Sequence, residues 1–141
     1  MEILDRETSV ADDQAASYFF RDLAEANGVT QPEEMEFQTL PEIPRISSDL
    51  PANTKQCGGI GRQLVRQGRD TDIAGNPRHI EPAWVRIDLC VIRLPHVNSE
   101  VLVALTSPSP LAATALSSPA WDELFVHMLQ SFRIIDWTLF G

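Results

Sequence analysis

The clearest hydrophobic pattern lies at residues 83–94, where apolar side chains occupy both alternating faces of the segment. A strand that is apolar on both faces is typical of the centre of a sheet covered on both sides. Pro95 and the pair Asn98-Ser99 then indicate a short turn, and residues 100–105 predict a second strand. We expect these two strands to form a hairpin.

Two segments have apolar residues at helical spacing. Residues 10–26 predict a helix that Ser9 can cap and that Asn27-Gly28 ends with a left-handed stop signal. Its predicted apolar stripe consists of Ala16, Phe19, Phe20, Leu23 and Ala24.

The second helix is predicted to start at Ser118-Pro119, because a capping residue there precedes Pro at the first helical position. The apolar tail at residues 134–141 should fold back onto the body of the protein, since its large side chains would otherwise be exposed. The predicted buried stripe of the second helix consists of Leu124, Phe125, Met128, Leu129 and Phe132. His127 lies beside this stripe, where we expect a structural role for it.

Weaker sequence patterns predict the remaining strands and the surface connections. Further strands are predicted at residues 1–5, 35–40 and 56–68. Surface connections rich in Pro, Ser, Asn or Gly are predicted at residues 41–55, 69–82 and 106–117. The chain of 141 residues favours one domain, and the fold class that follows is α+β: an antiparallel sheet sandwiched between helices.

Charge narrows the classes of partner. The formal net charge of −9 disfavours nucleic acid and anionic membrane surfaces and favours basic protein surfaces. Residues 1–50 carry twelve acids against three arginines, so a basic partner would meet the N-terminal half. A solvated acidic face that keeps the protein soluble remains the alternative.

The two cysteines, Cys57 and Cys90, belong to no Cys-x-x-Cys pair, and we expect two buried thiols without a disulfide. The sequence shows no signal peptide and no apolar run that could span a membrane, so we expect a location in the nucleus and cytoplasm. A monomer is expected.

Candidate chemistry is weak. Residues 58–61, Gly-Gly-Ile-Gly, lack the Gly-Lys-Ser/Thr of a phosphate-binding loop and the third glycine of a dinucleotide site. His79, His96 and His127 have no metal-ligand spacing. Cys90 lies within an apolar run, where a thiol stays protonated. We therefore predict no enzyme activity, no metal and no cofactor, and keep a hydrolase using Cys90 as an alternative.

Charged residues also occur within the strand that has the clearest hydrophobic pattern. Arg86, Asp88 and Arg93 lie in the apolar segment at residues 83–94. A charged side chain that points into the core there needs an oppositely charged or hydrogen-bonding partner. We therefore expect a structural role for such a residue before a functional one.

Three segments together resemble one family. They are residues 19–28 (Phe-Phe-Arg-Asp-Leu-Ala-Glu-Ala-Asn-Gly), residues 91–105 with their Val-Ile-Arg-Leu-Pro and Ser-Glu-Val-Leu-Val-Ala-Leu runs, and residues 129–141 with the ending Asp-Trp-Thr-Leu-Phe-Gly. This order and spacing resemble the Ran guanine nucleotide release factor family, also called the Mog family, of nuclear-transport regulators.

The resemblance implies a fold similar to the photosystem II oxygen-evolving P subunit, and binding to the GTPase Ran with loss of its nucleotide. It also implies that Glu2 and Asp5 contact Ran. Asp22 and Glu25 lie on the matched helix and either extend that patch or are solvated helix charges. Glu2 and Asp5 would point to opposite faces of a regular strand, so a bulge, or a strand ending before Asp5, would bring them together.

Two further expectations accompany this resemblance. Family members begin with an additional segment that this sequence lacks, so the domain at residues 1–141 is expected to be incomplete at its N-terminus. The alternative function is an adaptor that binds other proteins, such as a channel or transport factor, without releasing nucleotide.

Overall fold

The computed structural model describes residues 1–46, 49–66, 73–77, 79–108 and 120–140. The described part contains five strands and two α-helices. In chain order they are β1 (Glu2–Asp5), α1 (Ala15–Ala26), β2 (Met35–Thr39), β3 (Lys55–Val65), β4 (Ala83–Leu94), β5 (Ser99–Pro108) and α2 (Glu123–Ser131).

All five strands form one antiparallel sheet in the order β1-β5-β4-β3-β2. The central position of β4 and its hairpin with β5 confirm the predictions from the hydrophobic pattern. The hairpin turns through a short 3-10 helix, Pro95–Val97, and through Asn98 in the left-handed conformation. β5 extends beyond the predicted strand as far as Pro108, because its last residues pair with the first half of β4.

The two faces of β4 support two separate cores, as its double apolar pattern predicted. Ile87, Leu89 and Val91 point toward α1 and are buried with its apolar stripe. Cys90 and Ile92 alternate with them and are buried on the other face with Phe125 and Leu129 of α2 and with residues of the connection before β3. The sheet therefore lies between the two helices, which confirms the α+β class.

The first helix starts later than predicted. α1 begins at Ala15 rather than residue 10, and its N-cap position, Gln14, makes no side-chain capping bond. The Ser9 hydroxyl instead donates to Glu7 Oε1 at 2.6 Å, which occupies Ser9 in a local turn. The predicted stop is confirmed: Gly28 has φ of 72°, and the amides of Gly28 and Val29 close the last helical turn.

The second helix also starts later than predicted. Ala120 and Trp121 are not helical, and the proposed Ser118-Pro119 start lies outside the described residues. Asp122 is the actual cap, since its carboxylate accepts a hydrogen bond from the Leu124 amide. Buried Asp88 fixes this point by accepting from the Asp122 amide at 3.0 Å, with Arg86 as its ion-pair partner.

The stripe predicted on α2 is partly wrong. Phe125 and Leu129 are buried, and Met128 and Phe132 pack against them. Leu124 is 58% exposed, so it does not belong to the buried stripe. His127 is exposed as well, so the expected structural role for it is wrong.

The apolar tail folds back only in part. Ile134 and Phe140 pack against the core beside α2, and the Trp137 ring contacts His96 at 5.0 Å between ring centroids. Trp137 is nevertheless 36% exposed, and Ile135 and Leu139 stay exposed, contrary to the expectation that the whole tail is covered.

The glycine run at residues 58–61 lies within β3 and is explained by packing. The Phe20 ring of α1 covers Gly61, where a Cβ would overlap it, and the Trp121 ring lies over Gly58 on the opposite face. These residues are small because aromatic rings approach the strand closely, and β3 continues through them as a regular strand.

Candidate functional site

The acidic residues predicted to bind a partner lie on an edge strand. Within the described residues, β1 pairs with β5 on one side only, so its other edge is free. Glu2 and Asp5 are both exposed on this strand. A free strand edge between two carboxylates offers a partner backbone hydrogen-bonding groups as well as negative charge.

Glu2 and Asp5 do not share a face of the sheet. Glu2 pairs with Leu102, which belongs to the core under α1, whereas Asp5 pairs with Ser99 two residues along β5 from Val101 of the opposite core. The register is continuous from Glu2 to Asp5, so the bulge or early strand end that would have brought them together is absent from β1. The two residues therefore flank the edge, with Cα atoms about 10 Å apart along the strand.

The chain that leaves β1 is held by a buried arginine of the central strand. Arg93 is 1% exposed, and its Nη1 donates to the Val10 carbonyl at 2.7 Å and to Asp12 Oδ1 at 2.8 Å. Its Nη2 donates to the Glu7 carbonyl at 2.9 Å. One guanidinium thus fixes three points of the connection between β1 and α1, which ties the acidic edge to the rigid centre of the sheet.

Glu100 completes this arrangement from β5. Its Oε1 lies 3.0 Å from Arg93 Nη2 and accepts from the Glu7 amide at 3.0 Å. Burial raises the pKa of the Glu100 carboxyl, against the opposing influence of Arg93. The hydrogen bond from Arg93 lowers the pKa of Asp12, which is partly exposed. Within the described structure, Arg93 Nε and Glu100 Oε2 have no hydrogen-bond partner.

Sequence reasoning required a partner for Arg93 but did not find it. The signal was present in the hairpin: with the turn at Asn98, Arg93 stands directly opposite Glu100 in the register. Opposed residues of an antiparallel pair have neighbouring side chains. Asp12 and the two carbonyls could not be found in this way, because their positions depend on the path of an irregular connection.

Of the two helix residues offered as extensions of the acidic patch, Glu25 lies beside the opposite edge of the sheet. Asp22 and Glu25 are exposed on α1. Glu25 lines a groove beside β2, the strand at the opposite edge of the sheet from β1. Four strand spacings separate the two edges, about 19 Å. Glu25 therefore belongs to a different surface from Glu2 and Asp5.

The thiols have the properties of structural cysteines. Cys57 and Cys90 are free and buried, as predicted. Burial raises the pKa of Cys90 to about 12 and also raises the pKa of Cys57. A thiol in this state is a poor nucleophile. Among the residues that the structure describes, no group of three His, Cys, Asp or Glu side chains could hold a metal ion.

The described helices include none that is both long and apolar enough to cross a membrane. The fold and the acidic edge define a small α+β protein whose exposed features are suited to contacts with other proteins. The family described as "Ran-interacting Mog1 protein" (Mog1) matches residues 1–108. The chain belongs to the Mog1 family.

A curated relative extends the similarity over the whole chain. The Ran guanine nucleotide release factor of Danio rerio is 26% identical over 148 aligned positions, which cover all of this chain and 76% of the relative. No solved structure matches this chain significantly. The family resemblance inferred from the three sequence segments is thereby confirmed.

Proposed function

We propose that this protein binds the GTPase Ran through the free edge of β1 and promotes release of the bound guanine nucleotide. The observation that carries the proposal is membership of a family described as Ran-interacting, together with a relative named as a Ran guanine nucleotide release factor. Residues 1–108, the matched range, include β1 and the whole Arg93 network that anchors it.

The chemistry of the edge supports this proposal. Glu2 and Asp5 present two exposed carboxylates, and between them the backbone of Ile3 faces outward from the sheet. A basic segment of Ran could pair with either carboxylate while its backbone bonds to the strand edge. The net charge of −9 would speed the encounter with a basic surface and make it sensitive to salt.

Nucleotide release then follows from coupling between two binding equilibria. If the factor and the nucleotide bind Ran less well together than separately, each lowers the affinity for the other by the same factor. Such couplings are typically about 5-fold to 150-fold. Carboxylates at Glu2 and Asp5 are suited to drawing a Lys or Arg of Ran away from the nucleotide phosphates, which would produce this coupling.

The proposed role is regulatory and involves no covalent step. The protein would act as a monomer in the nucleus and cytoplasm, without cofactor, nucleic acid or membrane, as a regulator of nuclear protein import. A fold of the photosystem II oxygen-evolving P subunit type is part of the same proposal. It is compatible with the antiparallel sheet between two helices.

A nucleotide-release assay tests the proposal. Ran loaded with a fluorescent GDP analogue is mixed with an excess of unlabelled GDP, with and without this protein, and the fluorescence decay is followed. The proposal predicts faster decay that saturates with protein concentration and weakens as salt is raised. Binding to Ran without acceleration would favour the adaptor alternative, and absence of both would contradict the proposal.

A further inference from the structure

A groove of about 740 Å³ runs between α1 and the outer strand β2. Its floor is apolar and is formed by Phe20, Val29, Met35 and Phe37. Within this floor, the Phe20 and Phe37 rings stack at 4.6 Å between centroids. This volume lies within the range typical of ligand-binding pockets, about 300–1,000 Å³, so the groove has room for several side chains of a bound peptide.

The backbone beside the groove is open to a further strand. The Leu40 amide donates to the Gly58 carbonyl, so alternate residues of β2 from Glu36 onward bond to β3. The residues of β2 that alternate with these do not bond to β3, and their backbone groups face outward at the sheet edge. They are Met35, Phe37 and Thr39. The Met35 amide bonds to Pro32, which leaves the Phe37 and Thr39 amides directed outward.

The same three residues of β2 line the groove with their side chains. A segment added at this edge would therefore have its inward side chains over Phe37 and under the flank of α1. That flank contributes Ser17, Arg21 and Glu25 as the opposite wall.

The charge around the groove is mainly negative. Glu25 lines the wall, and the 3-10 helix Pro32–Glu34 places Glu33 and Glu34 directly before β2. Glu36 is already paired with Arg62 at 2.7 Å. Arg21 is the basic residue of the groove lining, so acidic groups outnumber it at the rim.

We propose that this groove binds an extended segment of a partner protein, which adds to β2 as a further strand. The segment would carry alternating apolar residues for the floor and a Lys or Arg for Glu25. Backbone bonds to the edge would supply affinity, and the alternate pockets would supply specificity. This surface lies at the opposite edge from Glu2 and Asp5, so the inference does not depend on the proposed contact with Ran.

Two substitutions test the two parts of the inference. Thr39→Pro removes an outward amide at an edge position where proline is tolerated. Glu25→Lys reverses the charge of the wall. Their matched controls are Ile3→Pro, whose amide also faces outward but at the other edge, and Glu42→Lys, an exposed charge reversal away from the groove.

The probe is a phage-displayed library of linear dodecapeptides selected on the full chain, followed by fluorescence anisotropy with the most enriched peptide labelled with fluorescein. We expect enriched peptides with alternating apolar residues and a Lys or Arg. Thr39→Pro and Glu25→Lys should each weaken binding at least about 10-fold, and both controls should bind as the wild type does. Circular dichroism confirms that each variant is folded.

Several results would overturn the inference. One is the absence of peptides selective for the wild type, and another is equal binding to Thr39→Pro and to the wild type. Light scattering tests whether a second copy of this chain occupies the groove. A dimer that forms in the wild type and is lost in Thr39→Pro would show that the occupant is a second copy and not a partner segment. Loss of Ran binding in Thr39→Pro would assign the groove to Ran itself and would equally contradict a separate partner.

Discussion

Arg93 Nη2 lies 3.0 Å from Glu100 Oε1, with both side chains buried where β4 and β5 face each other. Arg93 Nη2 also donates to the Glu7 carbonyl, and Nη1 donates to the Val10 carbonyl and to Asp12, all in the chain between β1 and α1. This pair therefore connects the centre of the sheet to the strand that carries the exposed carboxylates. It is a positioning element for the acidic edge rather than a contact surface.

Replacing the arginine should be costly. Arg93→Met leaves Glu100 buried without its cation and leaves the Glu7 and Val10 carbonyls without their donor. Removing one partner of a buried pair typically costs about 3–5 kcal/mol. Urea unfolding followed by tryptophan fluorescence measures this loss.

The double variant Arg93→Met/Glu100→Leu provides the control. It removes the orphaned charge, so it should recover part of the stability that the single variant loses. A single variant within about 0.5 kcal/mol of the wild type would show that this pair does not anchor the edge.

The Asp12 carboxylate gives a stability term with a definite pH dependence. The pKa of Asp12 is lowered in the folded protein from 3.8, chiefly by its hydrogen bond from Arg93. The folded state therefore binds fewer protons at this site, so the contribution is present above pH 3.8 and is lost as pH falls through the lower folded value.

Asp12→Asn tests this term, because it keeps an oxygen acceptor and removes the charge. The stability difference between wild type and variant, from urea unfolding, should be larger at about pH 6 than at about pH 2.5. A difference that does not change with pH would contradict the assigned interaction.

Gly61 tests the packing explanation of the glycine run. An added Cβ would overlap the Phe20 ring and lie 2.7 Å from the Glu36 carbonyl oxygen. Overpacking of this kind costs about 1–3 kcal/mol, so Gly61→Ala should lower the urea midpoint. Unchanged stability would show that the strand and helix separate more easily than their contacts indicate.

The sequence allowed good prediction of the sheet and poor prediction of helix starts. β4 and its hairpin follow from a hydrophobic pattern that is typical of a doubly covered strand. The start of α2 at Glu123 depends on the Asp122 cap and also on the bond that Asp88 accepts from the Asp122 amide, and Asp88 is distant in sequence. The start of α1 at Ala15 follows an irregular connection that Arg93 holds.

The candidate site was predictable only as a set of residues. Glu2 and Asp5 follow from resemblance, and their spacing predicts opposite faces for a regular strand. The sequence left open whether β1 is regular, because that depends on its unbroken pairing with β5. Glu25 was offered as an extension of this patch because it lies on the helix that resembles the family. The strand order, which separates their two surfaces, depends on contacts between residues distant in sequence.

The reactivity of the two thiols distinguishes a structural role of the cysteines from a catalytic one. In the folded protein, Cys57 and Cys90 should react with iodoacetamide slower by orders of magnitude than after unfolding, because both are buried and their pKa values are raised. Alkylation followed by mass spectrometry, with guanidinium-unfolded protein as the control, measures the rates. Rapid labelling of folded Cys90 would revive the hydrolase alternative.

The acidic edge of β1 is the centre of the proposed function, and charge reversal tests it directly. Glu2→Lys/Asp5→Lys changes two exposed side chains, so it should leave unfolding by urea within about 0.5 kcal/mol of the wild type. The matched control reverses two exposed acids away from both proposed surfaces, Glu42→Lys/Glu123→Lys. Calorimetric titration of Ran at low salt compares the three proteins.

We expect Glu2→Lys/Asp5→Lys to weaken Ran binding at least about 10-fold, while the control double variant binds as the wild type does. Equal affinity of all three proteins for Ran, or no measurable binding by the wild type, would contradict this expectation.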